Sequence, residues 1–218
     1  MNKILQEIRK RLFLLRNGAS SSSMRQKGMD YKINFGVSIP GLKEIAADYF
    51  PNTELSNQLW NTNTRELKLL AVFIQEPKEF RQAEEWVHSI NNIELAEQLS
   101  MHLLSKIPDA GQKASQWIQS DKLYVRIVGF LVYMRLFMQS YSLKDEEYNS
   151  YFYALFDALS DDSSLLQNAA LNSLKHLGKQ SVLNAKTIIA ECHQTSVISE
   201  QIKFRLIEDL NSEFDYYF

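Results

Sequence analysis

Three stretches of this chain repeat one design. Leu59-Trp60-Asn61-Thr62 leads into Arg65-Glu66-Leu67-Lys68-Leu69-Leu70-Ala71. Trp117-Ile118-Gln119-Ser120-Asp121 leads into Tyr124-Val125-Arg126-Ile127-Val128-Gly129, and Leu159-Ser160-Asp161-Asp162 into Leu165-Leu166-Gln167-Asn168-Ala169-Ala170. Each copy ends one apolar helix, turns on a polar capping cluster and starts a second helix. A small residue (Ala71, Gly129, Ala170) follows three places after a polar one (Lys68, Arg126, Gln167). A helix pair of this kind cannot bury its apolar face alone, so pairs stack on one another, and small residues let the helices approach.

The expected fold is therefore all-α: a curved solenoid of HEAT-like paired antiparallel helices, an α-α superhelix whose concave face is a binding surface. Composition agrees. Hydrophobic residues make up 45% of the 218 residues, enough for a sizeable core, and seven Gly and four Pro are too few for a turn-rich β fold. The tetraserine Ser20–Ser23 is too short for a linker, and 1–218 reads as a single domain.

Helical spacing marks a first amphipathic helix on Ile4, Ile8, Leu12 and Leu15, ended by Gly18. A second runs from caps in Ser20–Ser23 to Lys32. A third follows Pro40, carrying Leu42, Ile45, Ala46 and Tyr49 and stopped by Pro51. A short helix over about 53–60 reaches the Trp60 turn. Further helices are expected over 63–75, 78–90, 93–106, 110–118, 122–139, 144–160, 163–178, 181–193 and 198–211, with Asp121 and Asp162 or Ser163 as N-caps. The aromatic tail Phe214–Phe218 is expected to pack on the last repeat.

Charge is divided unevenly. Residues 1–43 hold nine Lys and Arg against two Asp and Glu, a net of +7; the rest holds fifteen against twenty-four, a net of −9. The basic portion suits an anionic partner or a solvated amphipathic helix. Cys192 is the lone cysteine, which excludes an internal disulfide and a multi-cysteine zinc site, and reads as a small buried side chain. The charged N-terminus lacks the apolar core of a signal peptide, and no run of about eighteen apolar residues is present. A cytoplasmic protein without a membrane segment is expected.

Familiar reactive constellations are missing. The chain has no Gly-rich phosphate loop, no dinucleotide fingerprint, no His-Glu-x-x-His and no Gly-x-Ser-x-Gly elbow. His88, His102, His176 and His193 do not fall at metal-ligand spacings. No metal and no cofactor are expected.

Four segments taken in order suggest a family. Met24-Arg25-Gln26-Lys27-Gly28-Met29 followed by Phe35-Gly36-Val37-Ser38-Ile39-Pro40 resembles the opening of the DNA alkylation repair family, the AlkD-type alkylpurine DNA glycosylases. The Trp60, Trp117 and Leu166–Lys175 segments are similar to that family's later hallmarks. The resemblance extends from about residue 20 to about 195. It implies a C-shaped HEAT-like solenoid with a basic concave channel for double-stranded DNA. Active members are DNA N-glycosylases that remove N3- or N7-alkylated purines. Such a base is already cationic and leaves readily. The enzyme chiefly stabilises the oxocarbenium-like sugar with a carboxylate and electron-rich aromatic faces, without the usual need for base flipping.

Carried over position by position, the family's Trp falls on Ile93 and its Asp on Glu97. Its DNA-contacting Arg falls on Ile127, beside Arg126, and a further aromatic falls on Asn172. Ile93 and Asn172 offer no aromatic face to a cation, and Ile127 cannot neutralise a phosphate. Arg126 points about 100° away from that position on a helix. Glu97 keeps a carboxylate, one methylene longer, and is the single catalytic candidate, with a solvated surface role as its alternative. Trp60 and Trp117 read as packing at repeat ends.

Lys27, Arg126, Lys175 and Lys179 are the candidate DNA-binding residues, with Arg25, Lys32 and Lys122 behind them; each could equally be a solvated surface charge. Three readings stay open. One is a DNA-binding family member divergent at its active site. Another is an active N-glycosylase using Glu97. The third is a protein-interaction scaffold that kept the fold and lost DNA.

Overall fold

The computed structural model of the chain describes residues 3–218. Among these residues every regular element is a helix, and the only β pairing is an isolated bridge between Ile33 and Thr64. The chain divides into two compact units, one ending at Ala83 and the other running Glu84–Phe218.

The first unit contains α1 (Lys3–Leu14), α2 (Gly18–Gln26), α3 (Ile39–Ala47), α4 (Thr53–Trp60) and α5 (Arg65–Ile74), then a 3-10 turn at Pro77–Glu79. α1 buries Ile8 and Leu12, one turn apart. α5 packs on α3 and α4 and buries nearly all its length. Asn17, rather than the tetraserine, caps α2: its side chain accepts from the Ser20 N–H at 3.0 Å, and the serines lie inside the helix. α2 stops at Gln26, short of Lys32, because Gly28 adopts φ 84°, the left-handed conformation that closes helices.

The segment between α2 and α3 is held by a buried carboxylate. Glu66 accepts the Phe35 and Gly36 N–H groups at 3.0 Å and that of Val37 at 3.3 Å. Arg65 donates to Glu66 and to the Val37 carbonyl, both at 2.9 Å, and both charged residues are buried. Gly36 has φ 71°, and a Cβ there would lie 2.2 Å from the Asn17 carbonyl oxygen. Only glycine lets these backbones approach so closely.

α6 (Ala83–His88) begins at the division between the units. Sequence spacing predicts one helix over 78–90; instead Phe80 takes an extended backbone and buries its ring before α6 starts. The second unit continues with α7 (Ile93–His102), α8 (Ala110–Trp117), α9 (Leu123–Phe137), α10 (Asp145–Leu159), α11 (Ser164–Gly178), α12 (Val182–Gln194) and α13 (Glu200–Tyr217). α7 ends earlier than expected. Pro108 forces Ile107 into an extended conformation, and only a 3-10 turn at Leu104–Lys106 precedes it.

α9 is the centre of this unit, packed by α7, α8 and α11. It buries most of its length between Val125 and Phe137, with Arg126 and Arg135 half-buried at its surface. α7, α9, α11 and α13 pack in sequence as one layer, while α8 and α10 meet behind it and α12 joins α11 to α13. Gly129 explains the tight seam between α8 and α9: a Cβ there would lie 2.7 Å from the Ile118 nitrogen. Lys122 and Ser163 occupy the N-cap positions of α9 and α11, so Asp121 is not a cap. α13 runs to Tyr217 rather than ending near 211, because Leu206, Leu210 and Phe214 extend its buried stripe. Phe214 seats against Gly178, where a Cβ would overlap its ring. The tail thus packs in part: Tyr216 is fully open to solvent.

The polar residue of each repeat has a local task. Lys68 donates to the Trp60 carbonyl at 2.8 Å, and Gln167 donates to that of Asp161, so each closes the end of the preceding helix. Among the described residues no helix is long and apolar enough to cross a membrane. Cys192 is buried, and burial pushes its thiol up to about 12.

Candidate nucleic-acid interface

Glu97 lies on α7, two residues past the first buried turn, with its side chain exposed. The surrounding protein still desolvates it enough to raise its pKa above the ordinary carboxylate value. Arg135 of α9 opposes the rise and Glu94 adds to it. The carboxylate therefore has a cation of the protein's own as an electrostatic neighbour.

The positions onto which the family's aromatic and Arg residues fall lack the groups that would complete excision chemistry. Ile93 is half-buried at the start of α7, and Asn172 is exposed on α11. Ile127 is entirely buried inside α9, so that position faces the core and not a ligand. Trp60, Trp86 and Trp117 are all buried and cannot replace the missing aromatics. Trp117 donates its indole N–H to Glu84 at 3.0 Å. Burial alone would raise the Glu84 pKa, but that bond and Lys113 at 3.1 Å bring it below the usual value.

Three of the four candidate phosphate contacts are engaged internally. Arg126 reaches Asp157 at 2.6 Å and Asp161 at 3.6 Å. Lys175 is 2.8 Å from Asp209 and 3.3 Å from Glu213. Lys179 also pairs with Glu213 and lies over the Tyr217 ring at 5.5 Å. Lys179 holds the Glu213 carboxyl below the ordinary range, with Lys175 adding to the effect. In contrast, Lys27 is exposed beyond α2 with no carboxylate within salt-bridge distance among the described residues. Lys32 and Lys122 are exposed, while Arg25 donates to the Tyr31 carbonyl at 3.1 Å.

Sequence reasoning missed Arg135. After desolvation, the charges of Lys179 and Arg135 depress the His176 pKa. No sequence signal marks Arg135, because its neighbours lie on α7 and α11. Phe137, Met138, Ser140, His176, Lys179, Gln180 and Tyr217 line a cavity of about 420 Å³. Among the described residues no cluster of three or more His, Cys, Asp or Glu could hold a metal.

A family model described as "DNA alkylation repair enzyme" matches residues 8–196. The chain belongs to the DNA alkylation repair family. Membership accounts for the order of the four hallmark segments. In this member the Arg65–Glu66 pair anchors the Phe35–Val37 turn. A solved structure described as "A new family of proteins related to the HEAT-like repeat DNA glycosylases with affinity for branched DNA structures" shares the fold. It aligns with a TM-score of 0.77 at 18% identity, covering 97% of this chain and 94% of its own. No curated protein matches the chain.

Proposed function

We propose that this DNA alkylation repair family member binds duplex DNA through phosphate contacts and does not excise alkylated bases by the family's route, with residues 1–218 acting as one domain. The observation that carries the reading is the environment of Glu97. The residues at the family's aromatic positions, Ile93 and Asn172, offer no π face, and Arg135 shares the carboxylate's field. A cationic base and a sugar with developing charge would find a single carboxylate, without the aromatic surfaces that stabilise positive charge.

Phosphate binding needs none of those groups. Lys27 is free to contact a backbone. Lys175, Lys179 and Arg126 can exchange protein carboxylates for phosphates, a trade between equal charges. The fold neighbour's affinity for branched DNA supports a DNA ligand here. The test is affinity for a plain duplex across a salt series. Log affinity should fall linearly with log salt, at roughly one unit of slope per phosphate contact. Absent binding, or binding that ignores salt, would favour a protein-interaction scaffold.

A further inference from the structure

The outer face of α1 combines features that a soluble helix normally keeps apart. Its inner stripe, Ile8 and Leu12, is already in the core. Its outer face nevertheless presents Phe13 at 55% and Leu14 at 82% exposure, among the exposed cations Arg9, Lys10 and Arg16. Arg9 precedes Phe13 and Lys10 precedes Leu14 by one turn of α1, and Arg16 lies two residues past the end of the helix. The Arg16 guanidinium lies 3.7 Å from the centre of the Phe13 ring, which fixes both side chains as one unit. Among the described residues Arg9, Lys10 and Arg16 have no carboxylate within 4.0 Å, whereas Arg11 is paired with Asp48 at 2.7 Å.

We propose that this face of α1 is a contact for the branch point of a DNA junction: Arg9, Lys10 and Arg16 hold phosphates while Phe13 and Leu14 cover the open face of an unstacked base pair. The proposal rests on the DNA-binding reading above and adds where the chain meets DNA and which DNA structure it prefers. Charge complementarity selects the partner, since residues 1–43 carry the chain's entire cationic surplus. The apolar pair selects the structure. An uninterrupted duplex presents charged backbones and stacked bases, against which Phe13 and Leu14 gain little. At a branch point the terminal pairs lose a stacking neighbour and expose an apolar π surface, the partner an aromatic ring between cations recognises. A membrane surface suits the face less well. An interfacial helix needs a broad apolar side, but that side of α1 is in the core, and its outer side mixes apolar groups with cations and Glu7.

The experiment compares the full chain with Phe13→Ala/Leu14→Ala and Arg9→Gln/Lys10→Gln. Binding is measured to a four-way junction, to a linear duplex of the same sequence, and to phosphatidylserine–phosphatidylcholine vesicles. Both pairs of residues are exposed, and unchanged thermal melting confirms that the variants fold. The apolar variant should lose roughly 5- to 100-fold in junction affinity and keep its duplex affinity. The charge variant should weaken binding to both DNAs and flatten the salt slope by about one to two units. Equal duplex and junction binding that the apolar variant leaves unaltered overturns the branch-point contact alone. Wild-type binding to neither DNA overturns the underlying DNA reading as well. Vesicle binding that depends on Phe13 and Leu14, with no junction preference, assigns the face to membranes and overturns the proposal.

Discussion

The Lys175 ammonium of α11 lies 2.8 Å from the Asp209 carboxylate of α13, and this pairing engages a cation proposed above as a phosphate contact. Glu213 does the same for Lys179 and again for Lys175. Asp209→Asn/Glu213→Gln should therefore release both lysines. The expected outcome is tighter duplex binding at low salt with a salt slope steeper by about one to two units, read from a titration series. Unchanged affinity and slope would place the two lysines outside the DNA contact.

The same contact sets an acid limit on the docking of α13. Glu213 titrates below its ordinary value because Lys179 and Lys175 favour its charged form. A carboxyl depressed in the folded state stabilises the fold fully above its unfolded pKa, about 4.3. That contribution disappears as pH falls through the lower folded value. Thermal melting against pH should show a loss below about pH 4 that Glu213→Gln reduces. Glu97 works in the opposite direction. Its raised pKa means that charging it opposes folding, so Glu97→Gln should leave the neutral-pH melting temperature unchanged or higher.

Gly178 and Phe214 form a tightly fitted joint. A methyl group at 178 meets the Phe214 ring well inside contact distance, and the ring is buried. Gly178→Ala should destabilise the protein by about 1–3 kcal/mol in denaturant unfolding. In a Phe214→Ala background the same substitution should cost clearly less, since the clashing ring is gone and the two effects are coupled.

In the first unit Glu66 carries the largest single penalty. Its removal takes the paired carboxylate from the buried Arg65 guanidinium and the acceptor from the Phe35 and Val37 N–H groups, while Gly36 keeps the Asn34 side-chain oxygen at 2.8 Å. Glu66→Ala should cost about 3–5 kcal/mol. Hydrogen exchange at the Phe35 and Val37 amides, which lose their acceptor, should accelerate first.

The helical layout was legible because its signals are local. Buried stripes and the Pro40 start depend on residues within one or two turns, whereas Gly18, expected to end the first helix, opens α2 instead, α1 having stopped at Leu14. The small residues at 71, 129 and 170 announce close helix approach wherever they lie. The site was less legible because its electrostatics are tertiary. Arg135 acts on Glu97 across two helices, and Asp209 and Glu213 reach Lys175 and Lys179 from a helix more than thirty residues on. From sequence, Lys175 and Lys179 look like a track for a DNA backbone; the fold sets carboxylates against them. Arg65-Glu66 looks like a family hallmark, and its task emerges only when the turn at Phe35–Val37 folds back onto it. The loss at Ile127 is clearer still in three dimensions, where that side chain is core.

Release of 7-methylguanine and 3-methyladenine from methylated duplex DNA, with the protein in excess and binding saturated, tests the absence of base excision most directly. Release at the spontaneous rate, identical for the wild type and Glu97→Gln, is the expected result. Release well above that rate, abolished by Glu97→Gln while DNA binding persists, would make Glu97 a working catalytic carboxylate and contradict it.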